Sequence, residues 1–144
     1  MNKYLKIFLI VFGVGLTLGL CGVYYVFHMP HRNLADEKPS IVTSAKGLFD
    51  DFSKDETIGN KKYGNKAIQV SGKVVDIKVT DKDATIVLAD ETSGVTCSFD
   101  SATVVDHKAE FQKIKVGYAT SVRGQCDGLD MIQGVMLSRS VLVQ

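Results

Sequence analysis

Outside its first 32 positions the 144-residue sequence has no surplus of basic residues, and nowhere does it carry a Cys-x-x-Cys pair, an internal repeat or a low-complexity stretch. Each absence removes a class of molecule. From residue 33 onward 14 Lys and Arg stand against 16 Asp and Glu, a net charge of −2, which argues against a binder that works by neutralising phosphates. There is no Ser/His/Asp constellation and no phosphate-binding glycine loop. Asp50-Asp51, Asp55-Glu56 and Asp90-Glu91 read as solvated ends of helices and strands, so no catalytic residue, enzyme activity or cofactor is expected. A metal site is not expected either: His28 and His31 lack a third ligand nearby and Pro30 favours extended chain, while His107 falls on an exposed helical face.

What is present begins with "IFLIVFGVGLTLGLCGVYYVF", residues 7–27, 21 residues without a charge and long enough to cross a bilayer as a helix. A cleaved signal peptide would have a shorter apolar region followed by a small-residue site, and no Ala-x-Ala appears here. The alternative is a lipoprotein signal cleaved before an acylated Cys21, although Leu20 is bulky where that processing wants a small residue. Lys3, Lys6 and the terminal amine precede the run, whereas His28, His31, Arg32, Asp36 and Glu37 follow it. That bias favours a cytoplasmic N-terminus. A single-pass protein is therefore expected, with the rest of the chain outside the cytoplasm, in the periplasm if the host is a bacterium. The expected division is an anchor over residues 1–28, a linker over 29–40 and a domain over 41–144.

After "NLADEKPS", Ser40 or Thr43 can cap a helix whose apolar positions are Ile41, Ala45, Leu48 and Phe52. A second short helical turn ends at Gly64-Asn65. From Ala67 the period becomes two: Ile68, Val70 and Val74 share one face, Gln69, Ser71 and Lys73 the other. "TIVLADE" and "VTCSFD" supply strands two and three, residues 103–115 a helix, and "GYATSVRGQC" and "MIQGVMLSRSVLVQ" strands four and five. Three strands, a helix and two strands, with Gly72 inside the long first strand, predict a mainly β, five-stranded OB-fold barrel. Such a glycine can mark a bulge or bend.

"DETIGNKKYGNKAIQVSGKV", "TCSF", "VGYATSVRGQCDG" and "VMLS" resemble the tRNA_anti-like family of bacterial OB-fold proteins, over roughly residues 43–143. The most telling pieces are Lys62-Tyr63-Gly64-Asn65-Lys66 and Gly124-Gln125-Cys126-Asp127-Gly128. The resemblance implies nucleic-acid binding by analogy with anticodon-binding OB domains. It implies no catalytic residue.

Cys97 is in phase with Val95 and Phe99, and Cys126 with Val122 and Gly124, so both thiols point inward. They are either a disulfide, if their Cα atoms come within about 7 Å, or two packed free thiols. Gly128 is expected in the turn to strand five, and Gly124 where the strand bends or another element approaches. The OB fold binds on strands two and three, between the loops joining strands one to two and four to five. Here those loops bring Asp81, Asp83, Asp127 and Asp130 against Lys82 alone. Such a rim repels phosphate, and the outward positions Thr96, Ser98 and Asp100 offer no stacking platform. Lys73, Thr96, Ser98, Tyr118 and Arg123 are the candidate ligand-binding residues. The function expected is a non-catalytic binding module on a membrane anchor, taking a protein or another envelope ligand; the alternative, from the resemblance, is a single-stranded nucleic-acid binder.

Overall fold

The computed structural model describes residues 2–28, 34, 36–90 and 93–143. The expected linker residues 29–33 and 35, His31 among them, Glu91 at the end of the expected second strand and Thr92 of the expected turn after it lie outside the described residues. The chain divides into two compact units, residues 1–32 and 33–144.

The first unit is α1 (Lys3–Phe27), a helix of 25 residues with none of them buried. Its apolar window has a mean hydropathy of 2.3, and it is long and apolar enough to cross a membrane.

The second unit contains β1 (Ile41–Ser44), α2 (Ala45–Lys54), α3 (Glu56–Tyr63), β2 (Ala67–Val79), β3 (Ala84–Asp90), β4 (Ser93–Phe99), α4 (Ser101–Asp106), α5 (Lys108–Phe111), β5 (Ala119–Asp130) and β6 (Gly134–Val143). The strands run β1-β2-β3-β4-β6-β5, and β2 also pairs with β5. That extra pairing closes a five-stranded barrel of β2, β3, β4, β6 and β5, the OB arrangement. β2 can serve two neighbours because it is long: residues 67–73 pair with β5 and 73–79 with β3. The register slips between Val74 and Asp76, and Gly72 lies just before it. A Cβ at Gly72 would meet Ala45 at 3.1 Å and Leu88 at 3.3 Å, so this glycine admits a close approach rather than the bulge itself.

The alternation read from the sequence sets the core. Ile68, Val70, Val74, Ile86, Leu88, Val95, Cys97, Phe99, Val122, Val135 and Leu137 are buried, joined by Ala45, Leu48 and Phe52 of α2. From α4 and α5, Val104 and Phe111 add to it, with Phe111 edge-on to Phe99 at 5.0 Å.

Four expectations change. Ile41 belongs to a strand, parallel to β2 in register with Ile68, so the helix starts later and Ser44, not Ser40 or Thr43, caps it by accepting from the Gly47 amide at 3.1 Å. The helix expected over 103–115 is broken at His107, whose φ of −115° and ψ of 22° are not helical. Strand five begins at Gly134, because residues 131–133 form the turn. Residue 34 and residues 36–40 are not a free linker: Leu34 is buried, the Ser40 amide donates to the Ala67 carbonyl, and Arg123 reaches the Glu37 carbonyl at 2.9 Å.

Candidate ligand face of the barrel

β3 and β4 alternate, so Ile86, Leu88, Val95 and Cys97 point into the core and Thr85, Val87, Thr96 and Ser98 lie on the outer face. The antiparallel register sets Val87 opposite Thr96 and Thr85 opposite Ser98. On the next strand Asp76 lies beside Val87 and Lys78 beside Thr85. A cleft of about 610 Å³ opens over this face, with Thr85, Val87 and Thr96 in its lining, Phe49 and Leu129 beside them, and the β5–β6 turn as a wall.

The turn is tightly built. One Asp130 carboxylate oxygen accepts from the Ile132 amide at 2.8 Å and the Gln133 amide at 2.9 Å. Those two backbone donors hold the Asp130 carboxyl below the usual carboxylate range. The Thr96 hydroxyl donates to the Gln133 carbonyl at 2.8 Å and pins the turn to β4. Gly134 has a φ of +75°, and a Cβ there would collide with the Gly94 carbonyl. Among the described residues lining the cleft, Asp130 is the one charged side chain and Phe49 the one aromatic.

The structure brings few of the candidate residues together. Thr96 lies on the outer face but is 5 % exposed, because the turn folds over it. Ser98 is half-buried one register step away. Lys73 and Tyr118 are both exposed but sit where β2 meets β5, Lys73 in register with Ala119 and the Tyr118 carbonyl accepting from the Val74 amide. Arg123 is half-buried on β5 and engaged with the Glu37 carbonyl. Missed in the sequence were Val87, Gln133 and the apolar pair Met131-Ile132; two large apolar residues directly after Asp130, at a turn, were the available signal.

Of the two alternatives left open for the cysteines, the structure has the packed free thiols and not the disulfide. Cys97 and Cys126 are free and buried, and each is in register with Leu137 of the strand between them. Burial pushes the Cys97 thiol up to about 12 and the Cys126 thiol up to about 11. Gly128 is also relocated: its φ of +119° is positive as expected, but it lies at a bulge within β5 rather than in the turn. Gly124 faces β6, where a Cβ would meet Ser140 Oγ at 2.7 Å and Leu137 at 3.1 Å.

The tRNA_anti-like family model matches residues 1–141. The chain belongs to that family. Among solved structures it is similar to a Klebsiella pneumoniae protein provisionally named a nucleic acid-binding lipoprotein, with 17 % identity and a TM-score of 0.57 over 81 % of this chain and 100 % of that one. It is also similar to a Leishmania major protein provisionally named an aspartyl-tRNA synthetase, with 13 % identity and a TM-score of 0.51 over 75 % of this chain but 21 % of that one. At these identities the likeness is one of fold. No curated protein matches the sequence.

The tRNA_anti-like segment Lys62-Tyr63-Gly64-Asn65-Lys66 does structural work in this chain. The Tyr63 hydroxyl donates to the Asp51 carboxylate at 2.6 Å and Lys62 Nζ donates to the same oxygen at 2.7 Å, while the Tyr63 ring stacks on Phe52. Lys66 Nζ donates to the Lys62 carbonyl at 2.6 Å, closing the end of α3. Asn65 takes a φ of +57°, its amide donates to the Cys126 carbonyl, and the Cys126 amide donates to the Lys66 carbonyl. The motif therefore fastens the two helices to β5, next to the second family segment. None of its five residues is in the lining of the cleft.

Proposed function

We propose that the chain is a non-catalytic binding module, held at a membrane by α1, with the barrel outside the cytoplasm and the cleft on the β3–β4 face as its ligand site. The ligand class that the cleft suits is an extended protein segment or comparable uncharged envelope component. The observation that carries this is the lining: Thr85, Val87 and Thr96 as an uncharged floor, with Asp130 the one charge among the described lining residues. Lys and Arg at the phosphates supply most of the affinity of a nucleic-acid binder, and exposed aromatic rings are the usual platform for base stacking.

A second reading is favoured by the comparisons, which support nucleic acid better than a protein ligand: the family's name refers to anticodon-binding domains, and the Klebsiella protein carries a nucleic acid-binding name. On this reading single-stranded nucleic acid is the ligand, and Lys73, Tyr118 and Lys78 of the neighbouring surface supply its contacts.

Titration of the full chain with single-stranded oligonucleotides over a salt series separates the two. The protein reading expects no saturable binding at micromolar concentration. Micromolar affinity with a steep salt slope would establish the nucleic-acid reading in its place. A photo-crosslinker at position 87 is then expected to trap polypeptide adducts in cells, and nucleic-acid adducts there would overturn the cleft assignment.

A further inference from the structure

We propose that the β5–β6 turn is a second, peripheral membrane contact, in which Met131 and Ile132 enter the boundary between headgroups and acyl chains of the bilayer that α1 crosses; the inference rests on the reading of α1 as a retained span. Met131 is 102 % exposed and Ile132 93 % exposed, the two largest exposures of apolar side chains among the described residues of the barrel unit. They are adjacent, and they stand at the tip of a turn that is held rigid from both sides. Asp130 binds the Ile132 and Gln133 amides from within, and the Thr96 hydroxyl holds the Gln133 carbonyl from β4. A turn ordered before contact loses little conformational freedom on insertion.

Two side chains are too few to hold a free domain on a membrane, where even a single myristoyl chain gives only marginal binding. The tether changes that balance. Only residues 28–33 separate the end of α1 from the buried Leu34, and six residues span at most about 20 Å. Across so short a link a weak contact with the bilayer is an intramolecular one with a high effective concentration. Charge selects the lipid. Asp127 and Asp130 lie at the base of the turn, and the unit from residue 33 onward carries a net charge of −2, so a zwitterionic surface suits it and an anionic one repels it.

The absence of tryptophan from the sequence makes a clean test. The full chain carrying Ile132→Trp, and a control carrying Val105→Trp, 66 % exposed on α4, are reconstituted into phosphatidylcholine vesicles. Flotation of the protein with the vesicles is measured alongside quenching by bromine-labelled lipid. The expected result is a blue-shifted Ile132→Trp emission that bromolipid quenches at least twofold more than the Val105→Trp emission. Equal quenching of the two in protein that floats would overturn the turn contact while leaving the span in place. Failure of the protein to float would overturn the span itself, and the turn contact with it.

Discussion

Cys97 and Cys126 are held two strands apart, each in register with Leu137 of β6. Two strand spacings separate their backbones by about 9.5 Å, beyond the roughly 7 Å that a disulfide tolerates. Both thiols are therefore expected to be free in any redox compartment. Alkylation of denatured, unreduced protein should modify both, and native protein should protect both, since pKa values near 12 and 11 leave almost no thiolate at neutral pH. A denatured mass without alkylation at these two positions would contradict the strand order. Replacing either by Ala costs about 1 kcal/mol through the cavity left behind.

The pair Asp51 and Tyr63 predicts an acid-side loss of stability. Hydrogen bonds from Lys62 and then Tyr63 hold the Asp51 carboxyl below its ordinary value, so the unfolded chain binds this proton more readily than the folded one. The stabilisation is complete above the ordinary carboxylate pKa and is lost as pH falls through the lowered folded value. Asp51 is about a third exposed, which keeps the effect modest through solvent screening. Urea midpoints at pH 7 and pH 3 should fall further for the native sequence than for Asp51→Asn. Tyr63→Phe is expected to lose about 1 kcal/mol at pH 7, and a double-mutant cycle should show the two substitutions to be coupled.

The barrel was legible because its strands keep a strict period of two: Ile68, Val70 and Val74, or Val95, Cys97 and Phe99, can face inward in only one register. β1 was not, because four residues carry too little periodicity and Ile41 happens to stand at helical spacing from Ala45. Thr96 shows the limit at the site. Its alternation correctly put it on the outer face, but a turn 37 residues away in sequence covers it, and no local pattern encodes that. The same holds for the cysteines, whose inward phase was readable while the insertion of β6 between their strands was not.

The turn depends on a backbone that only glycine adopts without strain. Gly134→Ala should be the most damaging single substitution near the cleft, since its φ is +75° and its Cβ would enter the Gly94 carbonyl. A loss of about 2 kcal/mol or more is expected. Thr96→Val keeps the shape and removes the hydroxyl donor to Gln133, with an expected loss of about 1 kcal/mol. Thermal denaturation checks both. Equal stability of Gly134→Ala and the native sequence would show that the turn is not rigid.

The last expectation concerns which side of the membrane the barrel occupies. α1 carries Tyr4 near its start and Tyr24 and Tyr25 near its end. At 1.5 Å per residue Tyr4 and Tyr24 are about 30 Å apart, the thickness of a bilayer's hydrocarbon core, and tyrosines favour the two interfaces. Lys3 and Lys6 lie at the N-terminal end, whereas the last turn of α1 has no basic residue, which favours retention of the N-terminus in the cytoplasm. A reporter active only outside the cytoplasm, fused after Gln144, should therefore be active, and the same reporter fused before Met1 should be silent. The mature protein should keep its first residues. A mature N-terminus at an acylated Cys21 would replace the span by a lipid anchor, because cleavage there leaves only seven residues of α1, Cys21–Phe27, far short of the roughly 20 needed to cross.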